Sequence, residues 1–371
     1  MYIGTHRRAH RTDPEDVAFG LYAFAAVPGA TPNPTLKQVA LIRTPQPGWV
    51  VAHPHGRYLY ACNEVHAIDG LPGGAISAFE LDARTGEPRP LNSRPTPALP
   101  CHCAVDATGR FLLVASFTGG SVHLFPLTKD GQIGPEADCH RHSGSSIHPR
   151  RQQSPHAHAV AIDPANRFVL VPDLGTDRVL VYQIDHTAGR LIPRPERETR
   201  LPPGSGPRHL VFDPSGRHAY LMNEMSAEIT VFDYDSGLGA LSAVQTLDLM
   251  PEGFSGLRSG AAIGVHPAGG HLYATTRSHT SSGEAPLRGL DSLVWCEINA
   301  RDGRLTLRSR TSSGGEIPRS FAFVHAGRQL LVAHQCSGTV MAFDIGDSGS
   351  PQPQGQVLRT PVPVCVCPLE A

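Results

Sequence analysis

A chain of 371 residues with a formal net charge of −1 and a pI near 7 has no global electrostatic grip on nucleic acid or on an anionic membrane. Its 38 glycines and 34 prolines, about a fifth of all residues, suit many short strands joined by turns and disfavour long helices. No apolar run reaches the roughly 18 residues of a membrane-spanning helix, and the start, "MYIGTH", has neither a basic nor an apolar signal region. The eight cysteines (62, 101, 103, 139, 296, 336, 365 and 367) read as reduced, mostly buried small hydrophobes, and a cytoplasmic location is the expectation.

Taken in chain order, "MYIGTH" has the pattern of the second strand of a unit that then recurs. The unit is an apolar run, then Asp/His-Pro-x-Gly-Arg or a relative, then an aromatic and aliphatic strand. It appears as "VVAHPHGRYLYACNE" (50–64), "CAVDATGRFLLVASF" (103–117), "VAIDPANRFVLVPDL" (160–174), "LVFDPSGRHAYLMNE" (210–224), "IGVHPAGGHLYATTR" (263–277) and "FAFVHAGRQLLVAHQ" (321–335). Anchored on positions 53, 106, 163, 213, 266 and 324, the intervals are 53, 57, 50, 53 and 58. Two more strands follow most instances, as in "GAISAFELDARTGEPRPL" after the first and "RVLVYQIDHTAGRLIP" after the third. Each repeat therefore predicts four antiparallel strands with Gly, Pro and Asp at the turns.

Four-stranded repeats of this length are propeller blades, and 371 residues hold about seven of them. Six are intact. "PVPVCVC" near the C-terminus matches a first strand and "MYIGTH" a second, so the two ends of the chain share the last blade and leave no open sheet edge. The predicted fold is an all-β, seven-bladed β-propeller forming a single domain over 1–371.

The register locates the functional face. The x-Gly-Arg turn joins strands one and two at one face, so the start of strand one and the end of strand two meet at the other. The predicted strand-one starts are Gly48, Cys101, His158, Arg208, Ala261, Arg319 and Val364. The strand-two ends are His6, Glu64, Phe117, Leu174, Glu224, Arg277 and Gln335. Acidic and basic side chains fill seven of these fourteen positions, and His158, Arg208, Glu224, Arg277 and Arg319 come from repeats three to six. A single such residue is as readily a structural ion pair between blades, but five together describe a pocket for an anion. Arginine grips carboxylate or phosphate with a two-pronged fork, and Glu224 and His158 are both candidates for proton transfer.

The 20 histidines include the clusters "HPH" (53–55), "CHC" (101–103), "CHRH" (139–142) and "HAH" (156–158). His53 and His266 occupy the Asp position of the turn, and the other clusters fall on different blades or faces, so no metal site is expected. In "SPHAHAV" (154–160) the register places His158 at the rim and His156 at the end of the entering loop. The loop "HPRRQQ" (148–153) offers Arg150 and Arg151 as outer anion contacts. There is no G-x-S-x-G elbow, which argues against a covalent acyl-enzyme.

Along nearly its whole length the chain resembles the seven-bladed lactonase family, which includes bacterial propeller-type 6-phosphogluconolactonases and fungal 3-carboxy-cis,cis-muconate cyclases. The resemblance is carried by "MYIGT", "GRYLYACNE", "GAISAFELD", "PCHCAVDATGRFLLVASF", "SPHAHAV", "DLGTDRVLVY", "GPRHLVFDPSGRHAYLMNE" and "MPEGFSG". It implies a catalytic set of His158, Arg208, Glu224 and Arg277, the same four that the register selects. Arg319, His156, Glu64, His6 and Gln335 are the expected substrate contacts. The implied activity is cofactor-free hydrolysis of a small anionic lactone, 6-phosphogluconolactone to 6-phosphogluconate. A muconate cyclase using the same side chains is the alternative. A non-catalytic binding propeller is a third reading, although the chain lacks a Trp-Asp signature and has only 2 tryptophans.

The family pattern is broken in places. Thr276 precedes Arg277 where Asn is usual, Ala262 and Ser320 stand where acids are usual, and "SHTSSGEAPLRGLDS" (278–292) is inserted after Arg277. These departures spare the main set and bear on the identity of the substrate.

Overall fold

The structure, a computed structural model, describes residues 1–6, 19–26, 36–68, 70–278 and 289–369. The recurrent turn explains itself at atomic level. In "DATGRF" Asp106 Oδ1 accepts from the Arg110 and Phe111 amides, both at 2.8 Å, and Oδ2 accepts from the Thr108 amide at 3.0 Å, while Gly109 takes φ 69°. The acid thus satisfies the backbone of a turn whose left-handed position suits glycine, or Asn166 at φ 55° in the third repeat. Where His53 replaces it, Nδ1 accepts from the His55 amide at 3.1 Å and Nε2 reaches the Gly109 carbonyl of the next blade at 3.0 Å, which confirms a structural role.

These turns close the first hairpin of blades 1 to 6, and the described residues form seven antiparallel sheets of at least four strands. The innermost strands of blades 1 to 6 are Pro47–Ala52, Pro100–Val105, Ala161–Ile162, Pro207–Phe212, Gly260–Val265 and Pro318–Val324. Blade 7 takes its innermost strand, Pro363–Cys367, from the C-terminal end and pairs it with Tyr2–Thr5 in the register Tyr2↔Cys367 and Ile3↔Val366. Leu21–Ala26 and Leu36–Ile42 complete that blade. The expected seven blades and the shared seventh are both observed. The one regular helical turn among the described residues is Pro195–Arg197.

The core consists of seven apolar clusters, one between each pair of neighbouring blades. Second strands are sandwiched on both sides and so read as unbroken apolar runs rather than alternating ones. In blade 1, Leu59 and Ala61 pack toward blade 7 while Tyr58, Tyr60 and Cys62 pack toward blade 2. Leu59 is wholly buried, and truncating it to alanine would cost about 2–5 kcal/mol. This stack holds the ends of the strands rigidly around the central channel.

Candidate active site

The rim of the channel is built by one backbone device repeated in all seven blades. The residue ending strand two donates its amide to the carbonyl of a residue entering strand one: His6 to Val362, Glu64 to Gln46, Phe117 to Leu99, Leu174 to His156, Glu224 to Gly206, Arg277 to Ser259 and Gln335 to Ile317, at 2.7–3.1 Å. Five of the acceptors directly precede a proline that opens the strand, and these five (Gln46, Leu99, Gly206, Ile317 and Val362) have φ between 34° and 66°. Proline suits a first strand position because it has no N–H to donate. For branched Ile317 and Val362 a left-handed backbone costs of order 1–3 kcal/mol, tolerated where the surroundings over-determine it.

Just inside the rim, the inner strands carry a bulge. Pro207 pairs with Asn223, but His209, two residues on, pairs with Met222, the immediate neighbour of Asn223. The same slip follows Pro47, Pro100, Gly260 and Pro318, and in blade 7 it occurs between Gly4 and Thr5. Blade 3 has it too. Ala157 bridges Asp173, whereas Ala161 pairs with Leu170, so His158 lies in the bulge ahead of a short Ala161–Ile162 strand rather than opening a regular one. A bulge sets two residues against one and breaks the alternation of side chains, so consecutive residues turn to the same side.

One consequence is a carboxylate enclosed by cations. Glu224, 1% exposed, has Arg208 Nε at 3.0 Å, Arg277 Nη2 at 3.1 Å and His158 Nε2 at 3.5 Å from Oε2, and Arg151 Nη2 at 2.7 Å from Oε1. Burial opposes its charge, but Arg151, Arg277 and His158 outweigh burial and hold the carboxyl well below the usual range. Burial, then the neighbouring Arg277, draw Arg208 down to about 9, and burial draws Arg277 to about 10. Both remain charged at neutral pH. Burial and then Arg208 push His158 down to about 4, against the pull of Glu224, so its imidazole is neutral.

A second centre lies on the same rim. Glu64 sits 3.2 Å from His6 Nε2 and 3.4 Å from Arg319 Nη2, with Arg319 18% and Glu64 15% exposed. Burial works against its ionisation, yet Arg319 and then His6 hold it at about 2. Gly48 makes room for this pair, since a Cβ there would fall 2.2 Å from Glu64 Oε2 and 2.9 Å from His6 Nε2.

Arg151 reaches Glu224 from the loop between blades 2 and 3, which is pinned at several points. His142 Nδ1 meets Asp173 Oδ2 at 2.6 Å, both fully buried, and Ser146 Oγ donates to Asp177 Oδ2. Gln152 Nε2 donates to the Leu174 carbonyl at 2.8 Å. Arg150, from the same loop, is exposed and makes no ion pair among the described residues.

Beneath Arg208 the bulges deliver further ring side chains. The next residue in blades 1, 2 and 4 is Trp49, His102 and His209, and their rings meet across the channel. Trp49 stacks on His102 at 4.2 Å, and His209 lies edge-on to Trp49 and His102 at 5.3 Å and to His158 at 5.6 Å. Arg208 Nη1 stands 3.1 Å from both ring nitrogens of His209 and donates to the Ala261 carbonyl at 2.6 Å. Burial and the adjacent charges keep His102 at about 3 and His209 well below its ordinary value, so both rings are neutral. Strict alternation hid these three residues. The signal that would have found them is the position after each rim residue, where Trp49, His102 and His209 recur in "GWV", "CHC" and "RHL".

Not every expected contact joins these two centres. His156 stacks on Phe117 at 4.4 Å and its Nδ1 lies 3.1 Å from the Phe117 carbonyl, beside the site rather than on Glu224. Gln335 is held at the rim by its amide on the Ile317 carbonyl at 2.9 Å. Thr276 Oγ1 donates to the Leu290 carbonyl at 2.7 Å, and Ser320 Oγ accepts from the Val366 amide at 3.3 Å, so these departures serve the blade backbone. Ala262 is buried under Thr275 Oγ1. Most of the 278–292 insertion, residues 279–288, lies outside the described residues.

Two clefts of about 550 and 640 Å³ open on the opposite face, around Met1, Phe24 and Val324 and around Tyr2, Arg57 and Glu80. The charges in the second pair with one another at the surface, Arg57 with Glu80 and Arg89 with Asp82.

The model of the family described as "Lactonase, 7-bladed beta-propeller" matches residues 2–368. The chain belongs to this lactonase family. It is 28% identical over 368 residues, 98% of this chain and 97% of the relative, to the 6-phosphogluconolactonase of Bacillus subtilis (strain 168). It is 30% identical over 327 residues, 88% of both chains, to the 6-phosphogluconolactonase of Pectobacterium carotovorum subsp. carotovorum (strain PC1). Among solved structures, the periplasmic gluconolactonase PpgL of Pseudomonas aeruginosa superimposes with a TM-score of 0.85 at 28% identity, covering 98% of this chain and 96% of that one. This lactonase-family propeller thus shares both its blades and its chain length with proteins named for lactone hydrolysis.

Proposed function

We propose that the protein hydrolyses an anionic sugar lactone, with 6-phosphogluconolactone as the substrate and 6-phosphogluconate as the product. The observation that carries this reading is the charge balance of the rim. Among the described residues, Arg151, Arg208, Arg277 and Arg319 pair only with Glu64 and Glu224, and the buried histidines beside them are neutral, so within that set two positive charges await an anion.

Hydrolysis requires water to attack the lactone carbonyl while donors already in place receive the negative charge. Glu224, clamped and strongly acidic, is a poor base and serves to fix Arg208 and Arg277. His158 is the better proton acceptor, because it is neutral at working pH and Glu224 stands 3.5 Å away to stabilise the imidazolium. The guanidiniums of Arg208 and Arg277 hold the oxyanion. As the ring C–O bond breaks, the proton on His158 passes to the departing alkoxide, so the base is regenerated. Arg319 and Arg151, the more exposed arginines, bind the phosphate.

The test is turnover of 6-phosphogluconolactone against an enzyme-free control, with Arg208→Ala protein and 3-carboxy-cis,cis-muconate assayed in parallel. Acceleration of lactone loss by the native protein, abolished in the variant, is expected. Turnover of the muconate alone would replace hydrolysis by cyclisation, and inertness toward both would leave a binding propeller.

A further inference from the structure

The outer strands of blade 2, Ser121–Pro126 and Asp138–Arg141, bring together three donors of different chemistry. Their register sets His123 directly opposite Cys139, so both side chains share one face of the sheet. Glu136, at the approach to the fourth strand, places Oε1 2.6 Å from His123 Nδ1. A ring nitrogen of His123, a carboxylate oxygen of Glu136 and Sγ of Cys139 all lie within 4.8 Å of one another. The His123 side chain is only 1% exposed, and its Nε2 is fixed 2.8 Å from Ser121 Oγ, which leaves Nδ1 turned to the cluster. Fixing one ring nitrogen by a hydrogen bond while the other meets the ion is how metal-binding histidines are oriented.

We propose that His123, Glu136 and Cys139 form a binding site for a borderline divalent ion, Zn²⁺. One nitrogen, one oxygen and one sulfur suit zinc and exclude the all-oxygen ions calcium and magnesium. Thiolate and carboxylate together balance the charge of the ion. A tetrahedral ion with bonds of about 2.0–2.3 Å spaces its ligands wider than the 2.6 Å between His123 and Glu136 and within the 4.8 Å that bounds the cluster, so side-chain rotations seat it and water takes the fourth position. Arg141 occupies the same face two residues beyond Cys139, but it is exposed and free to extend into solvent. No single sequence motif spells this site, because the ligands stand at 123, 136 and 139 and meet through strand pairing.

The position suggests its use. Cys139 lies three residues before His142, whose ion pair with Asp173 anchors the loop that carries Arg151 to Glu224. An ion there braces the stem of that loop without touching the rim.

Cobalt is the decisive probe, since a thiolate ligand gives Co²⁺ a near-ultraviolet charge-transfer band. The chelator-treated full chain, titrated with Co²⁺ and then Zn²⁺, is expected to show one equivalent of thiolate-bound cobalt that zinc displaces. Cys139→Ser should abolish the band and Glu136→Gln should weaken binding at least tenfold. Cys336→Ser, which removes the other exposed cysteine, should leave both unchanged. Both ligand variants alter surface side chains, so the test does not depend on the buried His123 being replaceable. Absence of the band, or a band that survives Cys139→Ser, would overturn the proposal.

Discussion

The two carboxylates on the rim occupy equivalent blade positions and differ in what surrounds them. Glu224 has three guanidiniums and an imidazole and is 1% exposed, whereas Glu64 has one guanidinium and one imidazole at 15% exposure. Blades 4 and 5 each add a guanidinium around Glu224, blade 3 adds a neutral imidazole, and the loop between blades 2 and 3 adds a third guanidinium. Around Glu64 the neighbouring rim positions are Gly48 and Phe117, which contribute none. The first centre is thus pre-organised and dry, suited to receiving charge that develops during reaction. The second is looser and wetter, suited to recognising charge the substrate already carries.

The sharpest way to break this contrast is to neutralise each acid in turn. Glu224→Gln leaves two buried guanidiniums, Arg208 and Arg277, and the partly exposed Arg151 uncompensated, so a stability loss of about 3–5 kcal/mol is expected from urea unfolding. Arg208→Ala, on the same centre, is expected to lower kcat by about 10²–10³-fold. Glu64→Gln should cost only about 1 kcal/mol, as for a partly exposed pair. Equal losses at the two acids would erase the distinction.

Arg319→Ala tests the recognition role of the second centre. KM for the phosphorylated lactone should rise about tenfold with kcat nearly unchanged, the pattern of lost uniform binding. An uncharged lactone should lose nothing, and a matching fall in kcat would move Arg319 into the first centre.

Titration separates the two centres in another way. His158 and His102, at about 4 and about 3 when folded, and His209, also depressed, bind protons in the unfolded chain below the ordinary histidine value of 6.5 but not yet in the folded one. Their contribution is therefore fully present above pH 6.5 and is lost as pH falls from there toward 4. Melting temperature should drop by several degrees across that interval, before the clamped carboxylates, which lose their contribution only below about pH 4.5, begin to titrate. A melting temperature flat between pH 6.5 and 4.5 would contradict the neutral imidazole floor.

The smallest effect is expected at Gly48. A methyl group there would meet Glu64 Oε2 at 2.2 Å and both Glu64 Cβ and His6 Nε2 at 2.9 Å, so Gly48→Ala must shift the Glu64–His6 pair and should raise KM about two- to fivefold through Arg319 while leaving kcat intact. A loss of kcat would show that the second centre also shapes the first.

Much of this protein was legible without coordinates, because a propeller repeats itself. The Asp/His-x-x-Gly-Arg turn or a relative of it marks six of the seven blades, and antiparallel pairing then dictates which strand ends share a face. That logic alone placed His158, Arg208, Glu224, Arg277 and Arg319 on one rim, where the structure keeps the first four together and pairs Arg319 with Glu64 and His6 instead. It could not see past the bulges. A simple alternation assigns His209, His102 and Trp49 away from the channel, and only the extra residue in each inner strand turns them under the arginines. Nor does periodicity describe a loop, so the reach of Arg151 to Glu224 depended on His142, Gln152 and Ser146 finding partners in the next blade. Sequence by itself determined the ring and the roster of its rim, since both follow from local turn chemistry and the period of the strand. Tertiary structure decided which side chains touch, because that rests on one-residue slips and on contacts between segments far apart in the chain.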